Sequence, residues 1–190
     1  GLTNQQLAVL TGANFPNLRT LYMRSNKLTD LSPLSTWTSI VALDARYNRT
    51  NSFNNLSNLA PLAPLVNLTH LQLSQNAIVD LEPLRNMPDL YILSLDNNKI
   101  KDLTPLENTT KLGQTYFFVN EITDLSPLSK NANIRYLMAG NNQIAKINGD
   151  IFTLIESKPN ADFVEFADQT ITLPRVYITD RAAGFTVDNP

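Results

Sequence analysis

The chain has 190 residues, 43% apolar and 17% charged, with a formal net charge of −2. That composition can bury a sizeable core and excludes a highly charged disordered chain. No basic block invites nucleic acid or an anionic membrane surface, no run of 18 apolar residues spans a bilayer, and no cysteine is present for disulfide or thiol chemistry. No secretory signal peptide is recognisable, and the opening Gly-Leu-Thr without an initiator Met reads as a processed or trimmed fragment.

The first expected element is a short helical cap in LTNQQLAVLTG, residues 2–12, within an N-terminal unit 1–16. Thr3 and Gln6 match a capping box, Leu7 and Leu10 are spaced to face the first repeat, which begins at Asn17, and Gly12 is placed to end the helix.

A pattern L-x-x-L-x-L-x-x-N then recurs as LRTLYMRSN (18–26), IVALDARYN (40–48), LTHLQLSQN (68–76), LYILSLDNN (90–98), LGQTYFFVN (112–120) and IRYLMAGNN (134–142). Downstream arms carry D-L-x-P-L at 30–34, 80–84, 102–106 and 124–128, with the variant NLAPL at 58–62. Pro61, Pro83, Pro105 and Pro127 are spaced by 22 residues each time. Six copies at a fixed period specify a leucine-rich repeat solenoid over residues 17–147. The expected architecture has a curved parallel β-sheet on the concave side and short 3₁₀ turns on the convex side.

Repeats are numbered from Asn17, Ser39, Asn67, Asp89, Lys111 and Asn133. Positions 2, 5 and 7 then point into the core, so Phe117 is a core residue between outward-facing Tyr116 and Phe118. Position 10 is always Asn, expected as a buried ladder bonding backbone groups of its own turn and its neighbour. In the arm, Pro suits the first position of a 3₁₀ turn, and Ser32, Thr104 and Ser126 suit its N-cap. The arm Asp is therefore structural. Position 21 turns from Trp37, Leu65 and Met87 to Thr109 and Asn131, and Thr115 replaces a core Leu, which predicts a less well filled convex side there.

Repeat two is six residues longer than the period, with the extra stretch in RTNSFNNLSN, 49–58. It reads either as part of a binding face or as tolerated loop drift. After Ile147 the repeat breaks. The last unit, 148–190, holds strand-like stretches at 162–180 and 184–189 that either cap the solenoid or begin a further β domain.

The 22-residue period with its D-L-x-P-L arm resembles the internalin family of Gram-positive bacterial surface proteins, over about two thirds of the chain. DQTITLP, 168–174, also resembles the start of the immunoglobulin-like segment that follows the repeats in that family. The resemblance implies an exported protein, secreted or attached to the cell wall, whose concave face binds a host-cell surface protein. The chain departs from the family in its fewer repeats than the larger members, its repeat-two insertion and its short N-terminal cap. It shows no wall-anchoring motif.

Outward positions on the concave face form two zones. Repeats one and two present Tyr22, Arg24, Asp44, Arg46 and Tyr47; repeats four to six present Ile92, Tyr116, Phe118, Val119, Tyr136 and Met138. Repeat three, between them, reads as polar and bland. Tyr, Met, Phe and Arg are enriched in interface cores and hot spots. Tyr116, Phe118, Tyr136 and Met138 are thus the candidate apolar anchors, with Arg24, Arg46 and Asp44 as steering or rim charges. The single histidine, His70, has Ala42 and Ile92 as expected cross-strand neighbours and no carboxylate in its column. No metal-ligand cluster, phosphate loop or nucleophile arrangement is legible, so no enzyme and no cofactor are expected. The expected function is a monomeric exported recognition module, an adhesin or host-interaction domain, for a protein ligand. A structural spacer in a longer wall protein and an intracellular scaffold remain as alternatives.

Overall fold

The computed structural model describes residues 1–48 and 55–144, together with the backbone of 163–165. Within them, a period of 22 residues, stretched to 28 between Ala42 and His70, brings each short strand back beside the previous one in the same register. Six strands obey this rule: β1 (Thr20–Tyr22), β2 (Ala42–Asp44), β3 (His70–Gln72), β4 (Ile92–Ser94), β5 (Gln114–Tyr116) and β6 (Tyr136–Met138). A further strand, β7 (Phe163–Glu165), completes one parallel sheet whose order is the chain order. Leu21, Leu43, Leu71, Leu93, Thr115 and Leu137 pair across the sheet as one row. The chain is a leucine-rich repeat solenoid, as the repeat spacing predicts.

Strand alternation sends positions 5 and 7 inward. Leu43, Leu71, Leu93, Met23, Leu73, Leu95 and Phe117 are all buried in one continuous core with the arm leucines. Phe117 is fully buried, filling the place that Leu holds in repeats three and four.

The asparagine ladder closes the inner edge. Asn98 Nδ2 donates to the carbonyls of Leu73 at 3.1 Å and Leu95 at 2.8 Å, while its Oδ1 accepts from Ile78 N–H at 3.0 Å. Asn48, Asn120 and Asn142 repeat this geometry on their own neighbours. Each amide thereby ties two turns together and satisfies backbone groups that burial would otherwise leave unpaired. What aims the amide is position 9. Ser25, Tyr47, Gln75, Asn97, Val119 and Asn141 all adopt positive φ, between 52° and 61°. This left-handed step swings the chain off the strand and turns the next side chain inward.

The convex arm corrects one expectation. Ser32, Thr104 and Ser126 are not side-chain caps; they are the first residues of their 3₁₀ turns, the Pro comes second, and the N-cap position is a Leu. The arm aspartate does the capping. Asp30, Asp80, Asp102 and Asp124 each accept from the backbone N–H two residues on, at 2.8 Å. Asn58 replaces Asp in NLAPL with the same bond to Ala60 N–H, at 2.9 Å. A short acceptor before a leucine that must point inward is the Asx-turn solution.

The polar residues on the convex side are packed and satisfied. Thr109 and Asn131 are buried, and Asn131 Nδ2 donates to the Thr109 carbonyl at 2.7 Å. Thr115 Oγ1 donates to the Tyr136 carbonyl at 2.9 Å. Hydrogen bonds between turns thus stand in for the apolar contacts of the earlier repeats.

The N-terminal helix spans only Asn4–Ala8, with both halves of the Thr3–Gln6 capping box formed and Leu7 buried. Gly12 does not end it. Gly12 opens a 3₁₀ turn, Gly12–Asn14, where a Cβ would collide with the Thr36 carbonyl oxygen. Leu2 N–H donates to Asn26 Oδ1 at 2.6 Å, so the cap supplies the donor that a preceding repeat supplies elsewhere.

The insertion returns to register at Leu56. Leu56 N–H reaches the Asn48 carbonyl at 3.3 Å, and its own carbonyl accepts from Ala77 N–H, as Ile78 and Ile100 accept in later repeats. Residues 49–54 of the predicted insertion lie outside the described residues. So do Ile147, where the repeats are expected to end, and most of the 148–190 unit. Its strand β7 pairs in parallel with β6, Leu137 opposite Val164.

Candidate functional site

The concave surface is built from positions 4, 6 and 8 of the strands, held in rows by the parallel register. On the N-terminal side, Tyr22 is 76% exposed beside its cross-strand partner Asp44, and Arg24 and Tyr47 are exposed. Asp44 departs from expectation. It is only 4% exposed and is taken up by Arg46, whose Nε and Nη2 donate to its two oxygens at 2.9 and 2.8 Å. Burial works to raise the Asp44 pKa, but the Arg46 bonds outweigh it and hold the carboxyl below the usual range. The same bonds raise the Arg46 guanidinium. The pair is an internal brace between the end of β2 and the turn that follows it, and the charge turned to solvent is chiefly that of Arg24.

On the C-terminal side, Tyr116 stands directly opposite Met138, and Tyr136 opposite Gln114. Tyr116, Phe118, Tyr136 and Met138 are half-buried, and Val119 is 37% exposed. These five lie on two neighbouring turns and form one apolar patch. Ile92, also half-buried, is set off from Tyr136 by Gln114, which lies between them in the row and accepts from the Tyr116 hydroxyl at 3.2 Å. His70 sits opposite Ala42 and Ile92 as expected, exposed, with its Nδ1 2.8 Å from Thr69 Oγ1.

Between the two zones the sheet surface dips into an open hollow of ≈ 440 Å³. Tyr47 and Arg46 line it from one side and Ile92 and Tyr116 from the other, with Ser74 and Asp96 among the polar groups between. Asp96 Oδ2 accepts from Ser74 Oγ at 3.0 Å and Oδ1 from Phe118 N–H at 3.0 Å. Burial raises its pKa above the ordinary carboxylate value, with these bonds and Arg46 pulling the other way. Sequence reasoning passed over Ser74 and Asp96, because a polar residue at an outward strand position is what any half-exposed sheet carries. The available signal was their column: position 8 runs Arg24, Arg46, Ser74, Asp96, Phe118, Gly140, so that a lone carboxylate stands between two arginines and an aromatic.

Among the described residues no group of three or more His, Cys, Asp or Glu is arranged to hold a metal ion, and no helix is long and apolar enough to cross a membrane.

Residues 66–108 match the family described as Leucine Rich repeats (2 copies). No curated protein sequence matches the chain. Among solved structures, internalin C2 from Listeria monocytogenes is 29% identical, with a TM-score of 0.71 over 86% of this chain and 66% of its own. The internalin InlF of the same organism is 26% identical, with a TM-score of 0.67 over 84% of this chain and 50% of its own. The chain therefore spans between half and two thirds of these internalins. The plant peptide hormone receptor RGFR1, solved in complex with RGF2, shares the fold at 21% identity and a TM-score of 0.58, over 73% of this chain and 22% of the receptor's. The repeat period, the sheet register and these likenesses together make the chain an internalin-like leucine-rich repeat protein.

Proposed function

We propose that this is an exported protein-recognition module, an adhesin or host-interaction domain, that binds a protein ligand on its concave face. The observation that carries the reading is the contiguous patch of Tyr116, Phe118, Tyr136 and Met138 on β5, β6 and the turn after β5. These half-buried side chains, with exposed Val119 beside them, make a partly solvent-facing apolar cluster of the kind that marks a partner site. Its residue types are those that anchor interfaces. A rigid sheet underneath keeps the ordering cost of binding low. Arg24 and Tyr22 form the far rim, where charge steers encounter more than it adds affinity. The ligand we infer is a protein on a host-cell surface, the module acts as a monomer, and its role is binding rather than catalysis. The likeness to internalins supports export to the bacterial surface.

The test is the double variant Tyr116→Ala/Phe118→Ala in a pull-down from host-cell surface extract. Both side chains project away from the core, so the far-UV spectrum is expected to match the parent while ligand capture is lost. Capture equal to the parent's overturns the reading. A signal peptide on the full-length gene product is the expected companion finding; its absence would point to an intracellular scaffold.

A further inference from the structure

The hollow between the two zones has a chemistry of its own. We propose that it receives a basic side chain, lysine or arginine, of the protein partner, with Asp96 as counter-ion and Tyr116 as an aromatic wall. This rests on the concave-face reading above and names what the partner must present there.

Three observations support it. The first is charge. Arg46, the cation lining the hollow, already spends its planar fork on Asp44, at 2.9 and 2.8 Å. Asp96 is held by neutral donors, Ser74 Oγ and Phe118 N–H. A carboxylate has about four lone-pair sites, so these two bonds and the one from the Asp96 backbone N–H still leave acceptor capacity for an incoming ammonium or guanidinium. Arg46 attracts Asp96 through space but is hydrogen-bonded to Asp44, so among the described residues Asp96 is a carboxylate of the hollow with no cation bonded to it. The burial that disfavours its ionised form is the penalty an incoming cation relieves.

The second is the wall chemistry. Tyr47 and Tyr116 both line the hollow. Cations sit favourably over a tyrosine face, and a lysine or arginine stem packs along it. Tyr47 is held there at φ 57°, a left-handed conformation costly for a large side chain. Acceptors complete the lining: Gln72, Ser94 and Gln114 are outward residues of β3, β4 and β5.

The third is what the other occupants would meet. An acidic side chain would face Asp96 and find Arg46 engaged. An apolar one would cover the Asp96 carboxylate without adding a bond to its remaining acceptor sites. The volume, ≈ 440 Å³, lies in the range of about 300–1,000 Å³ typical of ligand pockets.

The experiment is an NMR titration of the whole protein with three short capped peptides identical except for a central lysine, arginine or glutamate. The expected result is a saturable shift of the Ser74, Asn97 and Phe118 amides with lysine and arginine but not glutamate. Asp96→Asn, which keeps acceptor and donor atoms for Phe118 and Ser74, should weaken the basic peptides by about tenfold. A response to the glutamate peptide alone, a response indifferent to Asp96→Asn, or no saturable shift with any peptide overturns the proposal. The two readings fail separately: partner capture surviving Tyr116→Ala/Phe118→Ala sinks the concave-face reading, whereas basic peptides that ignore Asp96 sink this one.

Discussion

At the scale of the residue, position 9 does more than its sequence shows. Its six occupants share one backbone conformation but not one residue type. Asn97 and Asn141 suit positive φ; Val119, at φ 54°, does not, because a β-branched side chain clashes with its own backbone there. Val119 is nevertheless partly exposed at the edge of the apolar patch. Val119→Asn should therefore stabilise the protein by about 1 kcal/mol, raising Tm by roughly 2–4 °C in a chain of this size. A calorimetric scan checks this, and an unchanged or lower Tm would show that the side chain's contacts outweigh the strain.

At the scale of the element, each arm is a 3₁₀ turn too short to sustain itself, held by a leucine on the inside and an aspartate at the start. The Thr104 hydroxyl first, and then the Asx bond that Thr104 N–H donates to Asp102, lower the Asp102 pKa. A carboxylate whose pKa falls on folding contributes stability above its ordinary value of 3.8, and that contribution is lost as pH falls through the folded value. Asp102→Ala should thus cost about 1 kcal/mol at neutral pH, typical of losing a short-side-chain cap. The gap to the parent should shrink in acid. Urea midpoints measured across that range test both halves of the statement. A gap that stays constant with pH would mean that the loss is conformational and not the carboxylate bond.

At the scale of the whole molecule, the protein is a one-dimensional stack in which each turn is stabilised by its two neighbours. Leu93 lies on β4, in the middle, fully buried between Leu71 and Thr115. Leu93→Ala should cost about 3 kcal/mol by leaving a cavity. Its hydrogen-exchange protection should fall most on β3 to β5 and least at Leu7 and the N-terminal cap. Uniform loss along the stack would mean that the array unfolds as one unit.

What the sequence determines by itself is whatever repeats. A spacing of 22 residues pins strand, register and ladder together, since a slip of one residue would send every core leucine to water. That is why Phe117 could be placed inside, and Tyr116 and Phe118 outside, from position alone. Tertiary structure decided what depends on unlike residues meeting. Asp44 and Arg46 are two apart in sequence and read as two outward charges, yet they close on each other, while Asp96, 50 residues from Arg46, is the carboxylate lining the hollow. The left-handed column, the aspartate caps and the bonded Thr109–Asn131 step were likewise invisible, because a periodic pattern reports which side of the sheet a residue faces and not what its polar atoms touch. The strand Phe163–Glu165 joins the same sheet 27 residues after Tyr136–Met138, off the period that makes the others legible.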